Sequence, residues 1–157
     1  MPKETLERLA SLDVPTDFLH GNGDLAVLAQ MTASSPDGVT YWGSSSTAPL
    51  PEPIKEMIRW TARQLDPDSR KLLASWPKTV TLEIDGPGQV LFCHATPRNE
   101  TEVFTRLTVE EKLVPVFAGV SGSLVVCGHS HMQFDRMVGP IRVLNAEIGR
   151  ASCRERV

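Results

Sequence analysis

SLVVCGHSH, residues 123–131, divides into an apolar run and a histidine-bearing turn. Leu124, Val125, Val126 and Cys127 are apolar and rich in β-branched carbon, the composition of a buried strand. Gly128 then lets the backbone turn. Residues two apart in extended chain point to one side, so His129 and His131 are expected to reach together into one pocket at the strand's carboxyl end. The chain has four histidines, so this short stretch holds half of them, and a metal site is the reading it invites.

Working outward, MQFDRMV and IRVLNA read as two further strands after the histidine turn. Upstream, TVTLEIDGPGQVLFCHA reads as a hairpin, two strands joined by Asp85-Gly86-Pro87-Gly88. Thr108 and Glu111 have the spacing of a capping box and predict a short helix between the hairpin and the histidine strand. Asp66 followed by Pro67 predicts a capped helix through Leu72, Leu73 and Trp76. Pro53 suits the first turn of a helix whose apolar face is Ile54, Met57, Ile58 and Leu65. Residues 34–51 are a long Ser/Pro/Gly-rich connection containing Tyr41 and Trp42, either a lid that stacks on a base or a variable insertion. VPTDFLHGNGD is expected to be a strand running into a loop, and LAVLAQM the next helix. Leu6, Leu9 and Leu12 space an opening helix. Helices alternating with strands, then a strand-rich second half, predict an α/β sandwich.

The bulk numbers bound the function. At 157 residues the chain is long enough for a real core. Sixteen basic and 19 acidic residues give a net charge of −3, with no reason to expect specific nucleic-acid or anionic-membrane binding. No apolar run approaches a membrane span of roughly 20 residues. Three cysteines without paired spacing argue for a reducing compartment. The expected location is cytoplasmic, and the charged, amphipathic MPKETLERLA is no signal peptide.

Three stretches carry the chemistry: HGNGD, residues 20–24; FCHATPRNE, with His94 just after a strand; and GHSH. Each is expected to follow a strand and so to sit at a carboxyl end, where open α/β sheets bind ligands. Imidazole nitrogens and an amide oxygen brought together from separated loops suit Zn, Mn, Fe or Ni. A structural zinc site using Cys93, Cys127 and the histidines is the competing metal reading. Its weakness is alternation: Cys127 and His129 can share a side, whereas Cys93 faces opposite to His94.

In this order the three stretches resemble the motifs of the calcineurin-like metallophosphoesterases, the small bacterial phosphodiesterase and phosphatase type. GNGD stands where that family has G-N-H-[DE], CHA where it has a histidine before a small residue, and GHSH at its last and most specific motif. VLNAE falls where the family continues with N-x-G-S. The resemblance implies a four-layer α/β/β/α sandwich that hydrolyses phosphate mono- or diesters with two divalent transition metals, Mn, Fe, Zn or Ni. It implies that Asn22, His94 and His129 hold one metal and His131 the other. Asp24 would support the catalytic group of the third motif; Arg98, from its charge and its place near His94, is expected to contact substrate phosphate.

The departures are equally informative. Gly23 replaces the family histidine. Nothing matches the family's D-x-H and G-D motifs, which are expected upstream of PKETLERL. The chain is therefore expected to be an amino-terminally truncated domain over residues 1–147, with part of the site and little activity alone. The tail IGRASCRERV, residues 148–157, fits the codons of a common sequencing adapter and is expected to be non-native. A non-catalytic, protein-binding scaffold of the same fold is the alternative function.

Overall fold

The computed structural model describes residues 2–33 and 50–146. Most of the Ser/Pro/Gly-rich connection, with Tyr41 and Trp42, and the adapter-like tail lie outside the described residues. The chain divides into two compact units, with the junction between Pro77 and Lys78.

The first unit is helical: α1 (Pro2–Ala10), α2 (Asn22–Thr32), α3 (Glu52–Gln64) and α4 (Pro67–Ser75). Its small core gathers Ala26, Leu50 and Ile58, with Val27 and Ile54 against them. Asp66 caps α4 as anticipated, its Oδ1 accepting the Ser69 N–H at 2.8 Å, and Pro67 follows it in the first turn. The strand anticipated in VPTDFLH does not form. Val14 is 60 % exposed, and Phe18 instead stacks on Trp76 at 5.0 Å. His20 is tied to α4 and its exit by Nε2 to the Leu73 carbonyl (2.7 Å) and by its N–H to the Pro77 carbonyl (2.9 Å). Tertiary partners from α4 thus satisfy a segment too short and too punctuated by Asp and Pro to make a ladder.

The second unit is one mixed sheet with a covering helix. Its elements are β1 (Thr79–Ile84), β2 (Gly88–Cys93), α5 (Glu110–Phe117), β3 (Leu124–Cys127), β4 (Phe134–Val138) and β5 (Ile141–Asn145). The strand order is β1-β2-β3-β5-β4. β3 runs parallel to β2 and to β5, and antiparallel β1 and β4 close the two edges. The fold class is therefore α/β, as the sequence predicts.

Strand alternation puts Cys93, Val125, Cys127, Phe134, Val138, Ile141 and Val143 on one face. There they pack with Leu113, Val116 and Phe117 of α5. Phe104 meets Phe117 and Phe134 edge-on, at centroid distances of 5.6 and 5.5 Å. One local expectation is corrected at α5. Its N-cap is Val109, with no side-chain cap, and Thr108 Oγ1 instead accepts the Thr105 N–H at 3.0 Å. The loop before the helix holds Thr108 back from the capping position.

Candidate functional site

The site begins where two parallel strands end side by side. Phe92 of β2 is in register with Val126 of β3, so the chain leaves both strands at the same level of the sheet. His94 follows β2 directly, and Gly128 follows β3. The Gly128 N–H donates to the His94 carbonyl at 2.8 Å, which carries the parallel pairing one step past the strands. The Ala146 N–H donates to the Cys127 carbonyl at 3.0 Å and does the same on the β5 side.

Beyond Gly128 the chain bends sharply. His129 has φ 69° and His131 has φ 53°, both in the left-handed region. This corrects the expectation of an extended His-x-His segment with both rings on one side. Left-handed backbone costs a non-glycine residue roughly 1–2 kcal/mol, so the turn persists only because its surroundings hold it. Asn145, at the end of β5 and only 2 % exposed, does much of that holding. Its Nδ2 donates to the Gly128 carbonyl at 2.6 Å and to Ser130 Oγ at 3.0 Å. The Ser130 N–H also donates to the Gly128 carbonyl, at 2.8 Å.

The bend turns His129 back toward His94. His94 Nε2 and His129 Nδ1 lie 3.0 Å apart, with the rings edge-on at 65°. Both imidazoles are partly buried. An N–H···N hydrogen bond accounts for this distance when one ring carries the proton. The spacing equally suits two ligands of one ion. Nitrogens about 2.1 Å from a common metal lie about 3.0 Å apart at a right angle and about 3.4 Å apart at the tetrahedral angle. A proton and a metal ion therefore compete for the same gap.

The other anticipated site residues have different settings. His131 is exposed, two residues beyond His129. Asn22 and Asp24 belong to the first unit. GNGD is the first turn of α2, not a loop after a strand: Gly21 is the N-cap and Asn22 the first helical residue. Asp24 Oδ2 accepts the Gly21 N–H at 2.8 Å, so its carboxylate caps the helix. Arg98 forms a two-pronged ion pair with Glu102, its Nε donating at 3.0 Å and its Nη2 to the other oxygen. That pairing holds the Glu102 carboxyl below its ordinary range. Arg98 lines a cleft of about 300 Å³ with Gln89, Pro97 and residues 118–122, whose walls include no histidine.

The cysteine-zinc reading is not favoured by this geometry. Cys93 and Cys127 are 5 % and 3 % exposed, packed in the apolar cluster beneath α5. Burial, with the neighbouring Cys127, pushes the Cys93 thiol up to about 12. A thiol that resists ionisation is a poor metal ligand. Among the described residues, no three of His, Cys, Asp and Glu form a group able to hold a metal. The donors thus fit two ligands of one ion and do not by themselves fit a metal pair. Asn145 was legible as the last residue of a strand but not as the pin of this turn. The signal was present: one amide closing a strand whose other inward residues, Ile141 and Val143, are apolar.

No family model matches the chain, and no curated protein matches it. Solved structures do. A hypothetical protein from Pyrococcus horikoshii OT3 superposes with a TM-score of 0.73 at 15 % identity over 94 % of this chain. A metallophosphoesterase from Sphaerobacter thermophilus superposes with a TM-score of 0.59 at 17 % identity over 95 % of this chain. This chain spans 57 % and 61 % of those chains, respectively. No helix of the described residues is long and apolar enough to cross a membrane. At these identities the likeness is one of fold, and it is to a metallophosphoesterase-like fold that this chain is similar.

Proposed function

We propose that the chain is part of a metal-dependent phosphoesterase, a hydrolase of phosphate mono- or diesters, and that His94 and His129 hold one divalent transition metal. The observation that carries this reading is the pair of imidazole nitrogens 3.0 Å apart at the ends of adjacent parallel strands. The left-handed backbone at His129 supports it, because strain of this kind persists where the surroundings enforce a functional geometry. The likeness of the fold to a metallophosphoesterase supports it independently.

In this reading His131 would serve a second ion. Asp24 acts through the first turn of α2, and Arg98 meets the phosphate only by leaving Glu102. A divalent ion at the histidines supplies a Lewis acid for a phosphoryl oxygen. The residues themselves orient the donor nitrogens, with Asn145 holding the turn that carries His129.

Titrating Mn²⁺ or Zn²⁺ into the chain by calorimetry tests the reading. Weak binding of at most one ion per chain, abolished by His94→Ala and by His129→Ala, is the expected result. Two tightly bound ions per chain contradict the half-site. Gly23, which stands where the resembling family carries histidine, favours a second reading, a non-catalytic scaffold of the same fold. No metal binding, together with no hydrolysis of bis-p-nitrophenyl phosphate or p-nitrophenyl phosphate, selects the scaffold.

A further inference from the structure

Among the described residues, β1 is an edge strand of the five-stranded sheet, paired on one side only, with β2. Its even-numbered residues Val80, Leu82 and Ile84 share the sheet face opposite α5, and Leu82 and Ile84 are each 38 % exposed. Natural edge strands are usually blunted by lysine, proline or a bulge. Between Thr79 and Ile84 β1 has no lysine, proline or bulge, and its single charge is Glu83. The other edge differs: β4 carries Asp135 and Arg136, and Asp135 takes a two-pronged ion pair from Arg142 of β5 (2.9 and 2.5 Å).

We propose that β1 is a self-association edge, at which two copies of this chain pair β1 against β1, antiparallel, about a two-fold axis at Leu82. The sequence of the strand selects this partner and this register. In a continuous sheet, residues directly opposite share a face, so a two-fold axis must pass through a residue and not between two. With the axis at Leu82, Leu82 meets Leu82 of the second copy and Val80 meets Ile84. All three apolar residues of that face then pair with one another. On the other face Thr81 meets Glu83 and Thr79 meets Asp85, and no like charges oppose. With the axis at Glu83, two carboxylates face each other directly, which is destabilising. With the axis at Thr81, Ile84 faces Lys78 and the apolar ladder shrinks to Val80 and Leu82. The charged β4 edge does not offer a matching strand, so the assembly closes as a dimer and does not grow into a filament.

Sedimentation velocity of the full chain over a concentration series tests the proposal, alongside Leu82→Lys. The expected result is a concentration-dependent dimer for the parent and a folded monomer, by circular dichroism, for the variant. Cross-linking gives a second arm that does not depend on that variant folding. In a Cys153→Ser background, Leu82→Cys should form a covalent dimer under mild oxidation, because each residue 82 faces its twin. Thr79→Cys, which faces Asp85, should not. A parent that stays monomeric at every concentration overturns the proposal and leaves the edge to a strand from a different chain. A dimer that Leu82→Lys leaves intact, or equal cross-linking at residues 79 and 82, overturns it as well.

Discussion

At the scale of single residues, His129 bears the cost of the site and Asn145 enforces it. If the left-handed turn serves metal binding and not folding, His129→Gly should retain stability or raise it by up to about 1 kcal/mol while metal binding disappears. Chemical denaturation and calorimetry on the same sample compare the two. A large loss of stability would mark the His94–His129 contact as structural. Asn145→Leu keeps the volume but removes both donors to the turn. It should weaken metal binding by about 10–100-fold, the usual effect of losing a group that positions a ligand. Cys93 gives a third test, with a definite sign. Burial pushes its folded thiol up to about 12, above the ordinary value of 9.0. Between those values the unfolded chain loses a proton that the folded chain keeps, so stability falls as pH rises. Denaturation midpoints at successive pH values across that window should therefore decline less steeply for Cys93→Val than for the parent.

At the scale of elements, each unit has a point where local chemistry decides whether an element is placed. Asp66 caps α4 and also receives Lys3 Nζ at 2.8 Å. Lys3, and then the Ser69 N–H, hold its carboxyl well below the usual carboxylate range. The stabilisation is present above the unfolded carboxyl value of about 3.9 and is lost as pH falls through the folded one. Asp66→Asn should leave much of the cap but weaken this acid dependence, which thermal melts over an acid pH series would reveal. In the second unit, a Cβ at Gly122 would lie 2.2 Å from the Gln89 carbonyl oxygen. Gly122→Ala should therefore cost about 1–3 kcal/mol, the range for forcing atoms into a packed site. At Gly23 a Cβ meets nothing within 4 Å. Gly23→His, which restores the residue found in the resembling family, should fold with a stability change of at most about 1 kcal/mol.

At the scale of the whole molecule, metal and fold should be linked. An ion that binds only the folded chain raises its melting temperature in proportion to RT ln(1 + [L]/Kd). Added Mn²⁺ or Zn²⁺ should give such a shift in the parent and none in His94→Ala, as read by differential scanning fluorimetry. An equal shift in both would place the ion elsewhere. The α5-packed sheet core, with Val125 and Val143 fully buried, is the part of the second unit expected to persist longest in hydrogen exchange.

The strands, the hairpin and the helix at Asp66-Pro67 were legible in the sequence because each rests on local chemistry. Alternation, glycine turns and caps act within a few residues. The α/β class followed from the order of those elements. Tertiary structure decided what local chemistry leaves open. VPTDFLH carries apolar residues enough for a strand, yet Phe18 and His20 found partners on α4, and no ladder formed. The two histidines after Gly128 were visible as a pair, but extended geometry sent both rings to one side. An amide on β5, 15 residues from Ser130, bent the turn and sent His129 to a histidine 35 residues away. Such contacts arise between segments distant along the chain and depend on which strands become neighbours. The sequence by itself determined which residues were available for a site; the pairing of β2, β3 and β5 decided which of them meet.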